Sequence, residues 1–192
     1  MRKILPLILF LICNISVHSY NFEIANIDFP SDMVNRVNSE GLKEGVWVNG
    51  DSRTNRFSIC YYKNGQKEGV ESTYWKILKA EDISQYYLAS IITYKDDKYS
   101  EVIITYYENG QLWFLIRDIK AVTDFNPTPE NYFSTYKFPY QGYTQTYSEN
   151  GVLIEEGPLL FDEDFFYDIQ EVGEWKYYDE SGNLIRTHDW GE

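Results

Sequence analysis

"YYENGQLWF", residues 106–114, decides how the chain folds. Asn-Gly between alternating apolar residues is a strong hairpin signal, because both residues tolerate the positive φ that a tight turn demands. With Asn109 and Gly110 as the two central residues, Tyr107 faces Leu112, Tyr106 faces Trp113, Thr105 faces Phe114 and Ile104 faces Leu115. A three-residue loop with Gly110 at a bulge shifts this register by one. In either case the arms are rich in aromatic and branched side chains, whose cross-strand contacts contribute roughly 0.2–1 kcal/mol each.

The phrase recurs as "YYKNGQKEG" at 61–69, "YSENGVLIEEG" at 147–157 and "YYDESGNLIR" at 177–186. Turns are therefore predicted at Asn64-Gly65, Asn109-Gly110, Asn150-Gly151 and around Gly182. Their spacing drifts along the chain, so the array is degenerate rather than strictly periodic. A shorter echo links "GLKEGVW" from Gly41 to "GQKEGVE" from Gly65, with Glu71 where the first copy has Trp47. The Gly-X-Trp element returns in "GEWKYYDESGNL", from Gly173 to Leu184.

Gly-X-Trp, then Tyr-Tyr, then Asn-Gly or Ser-Gly, then a branched residue resembles the MORN-like repeat of the variant found in YwqK-type antitoxin-like proteins. The resemblance is clearest over 41–75 and 172–186, recognisable over 105–115 and 146–157, and lost between them. It implies an all-β fold, an elongated antiparallel meander of consecutive β-hairpins, and a binding or scaffolding module without catalysis.

Outside the repeats, "SDMVNRVNSEG" from Ser31 opens on a helix N-cap residue and closes at Gly41, which predicts a short helix covering the first sheet edge. A strand over 86–94 is expected to hairpin through Asp96-Asp97 into "YSEVIITYY". "DFNPTPENYF", with Pro127 and Pro129, reads as a loop. No low-complexity linker divides the chain, so residues 20–192 form one domain.

Residues 1–19, "MRKILPLILFLICNISVHS", place Arg2 and Lys3 before an apolar run and end on Val17-His18-Ser19, the pattern of a cleaved signal peptide. The run is far shorter than the roughly 20 residues of a spanning helix. The mature protein is thus expected to be exported, periplasmic or extracellular, with no integral membrane segment. No Asn-X-Ser/Thr acceptor follows Ser19, which favours a bacterial envelope. The full chain of 192 residues carries a net charge of −13. Such acidity repels phosphates and argues against nucleic acid or an anionic membrane as partner. A basic protein, a cation or a neutral glycan stays compatible.

Little in the sequence supports catalysis. His188 is the one histidine after residue 19, and no Ser or Cys motif accompanies it. Cys60, the one cysteine left after cleavage, lies in "RFSICYY" and reads as a small buried hydrophobe. Zinc sites built from Cys and His are excluded by count. No metal or other cofactor is expected. The acidic stretch "EEGPLLFDEDFFYDIQE", with Glu155, Glu156, Asp162, Glu163, Asp164, Asp168 and Glu171, the last five in its loop 162–171, lacks the glycine of a calcium loop and reads as solvated, with a cation site or a carboxylate pair as the alternatives.

Tyr, Phe and Trp make up 18% of the chain. Cross-strand aromatic ladders explain part of that content, and a partly uncovered aromatic face explains the rest. Trp47, Tyr62, Tyr106, Trp113, Trp175 and Tyr177 belong to repeated elements and are the candidate partner-binding residues. The function expected is a secreted, non-catalytic protein-interaction module, antitoxin- or immunity-like by resemblance. The alternative is an envelope protein that binds or processes carbohydrate through exposed aromatics and the acidic loop.

Overall fold

The computed structural model describes residues 22–23, 34–51, 55–77, 85–122, 139–162 and 169–191. The leader-like segment 1–19, the Pro-containing loop 124–133 and the acidic residues 163–168 lie outside them. The described residues contain thirteen strands: β1 (Phe22–Glu23), β2 (Arg36–Val37), β3 (Lys43–Asp51), β4 (Arg56–Lys63), β5 (Gln66–Lys76), β6 (Gln85–Lys95), β7 (Lys98–Tyr106), β8 (Leu112–Ala121), β9 (Tyr140–Tyr147), β10 (Leu153–Phe161), β11 (Ile169–Glu171), β12 (Glu174–Tyr178) and β13 (Leu184–Asp189). They form one sheet in the order β13-β12-β10-β9-β8-β7-β6-β5-β4-β3-β2, with β1 beside β6 and β11 beside β10. The named strands pair antiparallel throughout, as a chain of consecutive hairpins requires.

The hairpins use two kinds of turn. Asn64-Gly65 and Asp96-Asp97 are two-residue turns with positive φ at both positions, 50° and 85° in the first, 52° and 64° in the second. Residues 38–42, 107–111, 148–152 and 179–183 form a longer loop. In each, the first residue's N–H donates to the last residue's carbonyl, and the glycine N–H donates to the first residue's carbonyl, all at 2.8–3.0 Å. The glycines Gly41, Gly110, Gly151 and Gly182 hold φ of 77–82°, a conformation that branched side chains resist. Short side chains complete the loops. Asn38 Oδ1 accepts from the N–H groups of Glu40 and Leu42, and Asp179 Oδ1 from those of Ser181 and Asn183.

One expectation from the sequence is corrected here, and one alternative it left open is decided. No helix covers residues 34–41: Arg36–Val37 pairs with β3, and Asn38-Ser39-Glu40-Gly41 closes that hairpin. Ser39-Glu40-Gly41 takes the loop positions of Glu108-Asn109-Gly110, with the positive-φ glycine last in both, and Asn38 competes for the N–H groups that a helix would use. At Asn109-Gly110 the loop is the longer one, so Tyr106 faces Leu112. A bulge at Trp113 then restores Thr105↔Phe114 and Ile104↔Leu115. The same extra residue recurs as Ile154 in β10 and Ile185 in β13, each three positions after the loop glycine.

One row of residues crosses the sheet and carries its core. Trp47 pairs with Cys60, Cys60 with Glu71, Glu71 with Ile92, Ile92 with Ile103, Ile103 with Ile116, Ile116 with Thr144, and Thr144 with Gly157. The indole of Trp175 lies flat on Gly157, where a Cβ would come within 2.5 Å of the ring, and Trp175 pairs with His188. Ile92, Ile103, Ile116 and Trp175 join Ile119, Tyr140, Leu159 and Phe161 in the buried cluster. Each such large apolar side chain contributes roughly 1.5–3 kcal/mol on burial. Stacked or tilted rings of Tyr99, Tyr140 and Phe161, 5.2–6.2 Å apart, extend it.

Candidate interaction face

The "KEG" echo has a structural purpose. Glu44 and Glu68 accept from the backbone N–H groups of Asn64 and Asp96, the first residues of the two short turns, while the carbonyls of Lys43 and Lys67 accept from Gly65 and Asp97. Each lysine then meets the residue four positions on. Lys43 Nζ sits 4.5 Å from the Trp47 ring centre and 4.6 Å from that of Tyr62. Where Glu71 replaces the tryptophan, Lys67 Nζ forms an ion pair of 2.7 Å with it and lies 4.4 Å over the Tyr94 ring.

That second arrangement places titratable groups together on the buried face, next to Cys60. Burial first, then the charge of Glu71, pushes the Cys60 thiol up to about 12, so it is protonated and a poor nucleophile at neutral pH. Burial and Glu71 raise Tyr94 as well. Burial opposes the charge on Lys67, yet its bond to Glu71 outweighs this and the ammonium is held. The cluster is a paired polar insert in an aromatic row.

The opposite face over β8–β12 is half-exposed. Thr144 and Gly157 belong to the core row, so the alternating residues Tyr143, Gln145 and Glu156 face the other way. Gln145 Nε2 donates to Glu156 Oε2 at 2.9 Å, and the Tyr178 hydroxyl donates to Glu156 Oε1 at 2.7 Å. Burial alone would raise the Glu156 carboxyl, but bonds from Tyr178, Gln145 and Tyr143 outweigh it and hold the group below its ordinary value. The same bond to Glu156 leads the causes that push Tyr178 up to about 12. Arg117 stacks on Tyr143 with its guanidinium carbon 4.7 Å from the ring centre, and its Nη1 lies 2.6 Å from Asp118 Oδ2. A groove of about 270 Å³ adjoins Tyr143 and is lined by Asp118, Lys120, Pro158, Leu160 and Val172 among others. An ionised carboxylate, two phenols, an amide and a guanidinium thus share one ordered surface.

The six aromatic candidates from the sequence are not gathered on that surface. Trp175 is 1% exposed and Tyr62 is also buried, both serving the core side. Trp47 contacts Tyr62 edge-on, and Tyr177 stacks on Trp175 and donates to Glu171. Tyr106 alternates away from the buried Thr105, and Trp113, at the β8 bulge, is 38% exposed. Tyr143, Gln145 and Tyr178 were not singled out by the sequence, the first two because they sit between repeat landmarks, and Glu156 was read there only as part of a solvated acidic stretch. The alternation "YTQTY" at 143–147 was the available signal. Of the acidic stretch, Glu155, Glu156, Asp162 and Glu171 are described, and among the described residues no three potential ligands gather at a metal site.

Three stretches, 102–116, 140–159 and 171–189, match the family model described as MORN repeat variant. They coincide with the β7–β8, β9–β10 and β12–β13 hairpins, the ones that share the longer loop, the bulge and a leucine two positions after the loop glycine (Leu112, Leu153, Leu184). These hairpins are MORN-like repeats. Successive MORN-like loops are tied together, the Tyr107 hydroxyl donating to the Tyr147 carbonyl and Asn109 Nδ2 to that of Glu149. The stretch 41–75, with its two-residue turn, lies outside the matched residues. No curated protein and no solved structure matches the chain.

Proposed function

We propose that the chain is a non-catalytic protein-interaction module whose binding face is the open side of β8–β12. The observation that supports this is the hydrogen-bonded set Tyr143–Gln145–Glu156–Tyr178 with Arg117 stacked beside it, fixed on a rigid sheet and open to solvent. Preorganised phenols and an arginine cost little side-chain entropy on binding and recur as interface anchors. The net charge of −13 favours a basic partner. An immunity-like, neutralising role toward such a partner, exercised outside the cytoplasm as the leader-like residues 1–19 imply, is the form of this function that the sequence resemblance favours.

Affinity capture from envelope extracts with the folded protein tests it. Tyr143→Ala with Tyr178→Ala is expected to abolish retention of the native partner, and Glu156→Gln to weaken it mainly at low salt. Undiminished capture by both variants contradicts the reading. A soluble oligosaccharide that quenches tryptophan fluorescence, with a hydrolytic activity lost in Glu156→Gln, would favour the carbohydrate alternative.

A further inference from the structure

The strand β13 lies at one edge of the sheet, paired with β12 and with no strand beyond it among the described residues. All six residues of β13 are exposed, with Leu184 at 54% and Ile185 at 65%, and Trp190 just beyond it at 52%. The equivalent strands of the two preceding MORN-like repeats are covered: β8 by β9, through Phe114↔Thr146, Leu115↔Gln145 and Ile116↔Thr144, and β10 by β12, through Glu155↔Tyr177 and Glu156↔Lys176. Counting from the loop glycine, Arg186, Thr187 and His188 occupy the places of Phe114, Leu115 and Ile116, and of Glu155, Glu156 and Gly157.

We infer that β13 accepts an antiparallel strand from a partner polypeptide, in the register in which β8 accepts β9. The inference rests on the protein-binding reading above but concerns the sheet edge, not its open face. Main-chain hydrogen bonds along such an edge supply affinity, and the side chains facing the occupant set its sequence. The decisive position is His188. Its counterpart Gly157 leaves the space in which the Trp175 indole lies, a Cβ there coming within 2.5 Å of the ring; its counterpart Ile116 instead faces the smaller Thr144. His188 carries a Cβ and a ring whose centre is 4.3 Å from that of Trp190. The edge therefore selects a strand with a small or β-branched residue opposite His188 and excludes a tryptophan there. The acidic character of the chain favours a strand with basic flanks.

The probe is a synthetic peptide with the sequence of β9 and its preceding proline, PYQGYTQTY, extended by two lysines, added to the isotope-labelled protein. Saturable shifts of the amides of 184–190 are expected at peptide concentrations up to about 1 mM. A peptide with Trp in place of the residue equivalent to Thr144 is expected to bind about tenfold more weakly, the size of an ordinary overpacking penalty. His188→Gly is expected to reverse that preference, and Trp75→Ala, at an exposed site on β5, to leave peptide binding unchanged. No saturable shift, shifts confined to the open face, equal binding of both peptides, or a concentration-dependent dimer through β13 that blocks the peptide would each overturn the inference.

Discussion

At the scale of single residues, the contact between Gly157 and Trp175 is the tightest constraint in the core. The indole also donates from Nε1 to the Pro158 carbonyl at 2.8 Å, which fixes the ring against β10. Trp175→Ala is expected to cost about 3–5 kcal/mol, as large-to-small changes of buried aromatic residues do. Gly157→Ala is expected to cost about 1–3 kcal/mol through overpacking. The double variant is expected to cost less than the sum, because the added methyl enters the space that the indole vacates; additive costs in denaturant titrations would contradict the contact. Cys60 gives a test by pH. Its folded value of about 12 lies above the ordinary 9.0, so the unfolded chain loses the thiol proton first as pH climbs. The stability it contributes is complete below pH 9.0 and is lost toward about 12. Cys60→Ala should flatten the fall in unfolding free energy within that window by about 1.4 kcal/mol per pH unit.

At the scale of elements, loop chemistry and register explain most of what could be read beforehand. Asn64-Gly65 and Asp96-Asp97 were legible as turns because residues that tolerate positive φ stand between alternating arms. The loop at Asn109-Gly110 was legible as a turn but not in length, since the choice between two and three residues depends on a bulge at Trp113, where the side chain carries no distinctive signal. Asn38-Ser39-Glu40-Gly41 was misread because an N-cap residue at Ser31 and a glycine ten positions on also bracket a short helix; the pairing of Arg36–Val37 with β3 is a long-range choice that local pattern does not encode. The open-face cluster was hidden for the same reason. Gln145 and Glu156 meet only once β9 and β10 are in register. Gly110→Val, at φ 82°, is expected to cost on the order of 1 kcal/mol or more, seen as a lower denaturation midpoint. A variant as stable as the parent would contradict the left-handed loop position.

At the scale of the whole molecule, the two faces of the sheet have different tasks. The core row runs from Trp47 to Trp175 and interlocks the strands through large residues set against small ones, Trp175 on Gly157 and Ile116 beside Thr144. Its titratable members are neutralised, Glu71 by Lys67 and Cys60 by burial. The other face, over β8–β12, keeps an ionised carboxylate and two phenols in hydrogen-bond contact while they remain open to solvent. Such a division suits a rigid display surface, and it explains why aromatic residues prominent in the sequence, Trp175 foremost, are spent on packing. The most direct test of the interaction-module reading is hydrogen–deuterium exchange on the complex with its captured native partner. Protection is expected to concentrate in β9, β10 and β12 around Tyr143, Gln145, Glu156 and Tyr178. Protection confined to β3–β6, with those strands unchanged, would contradict it.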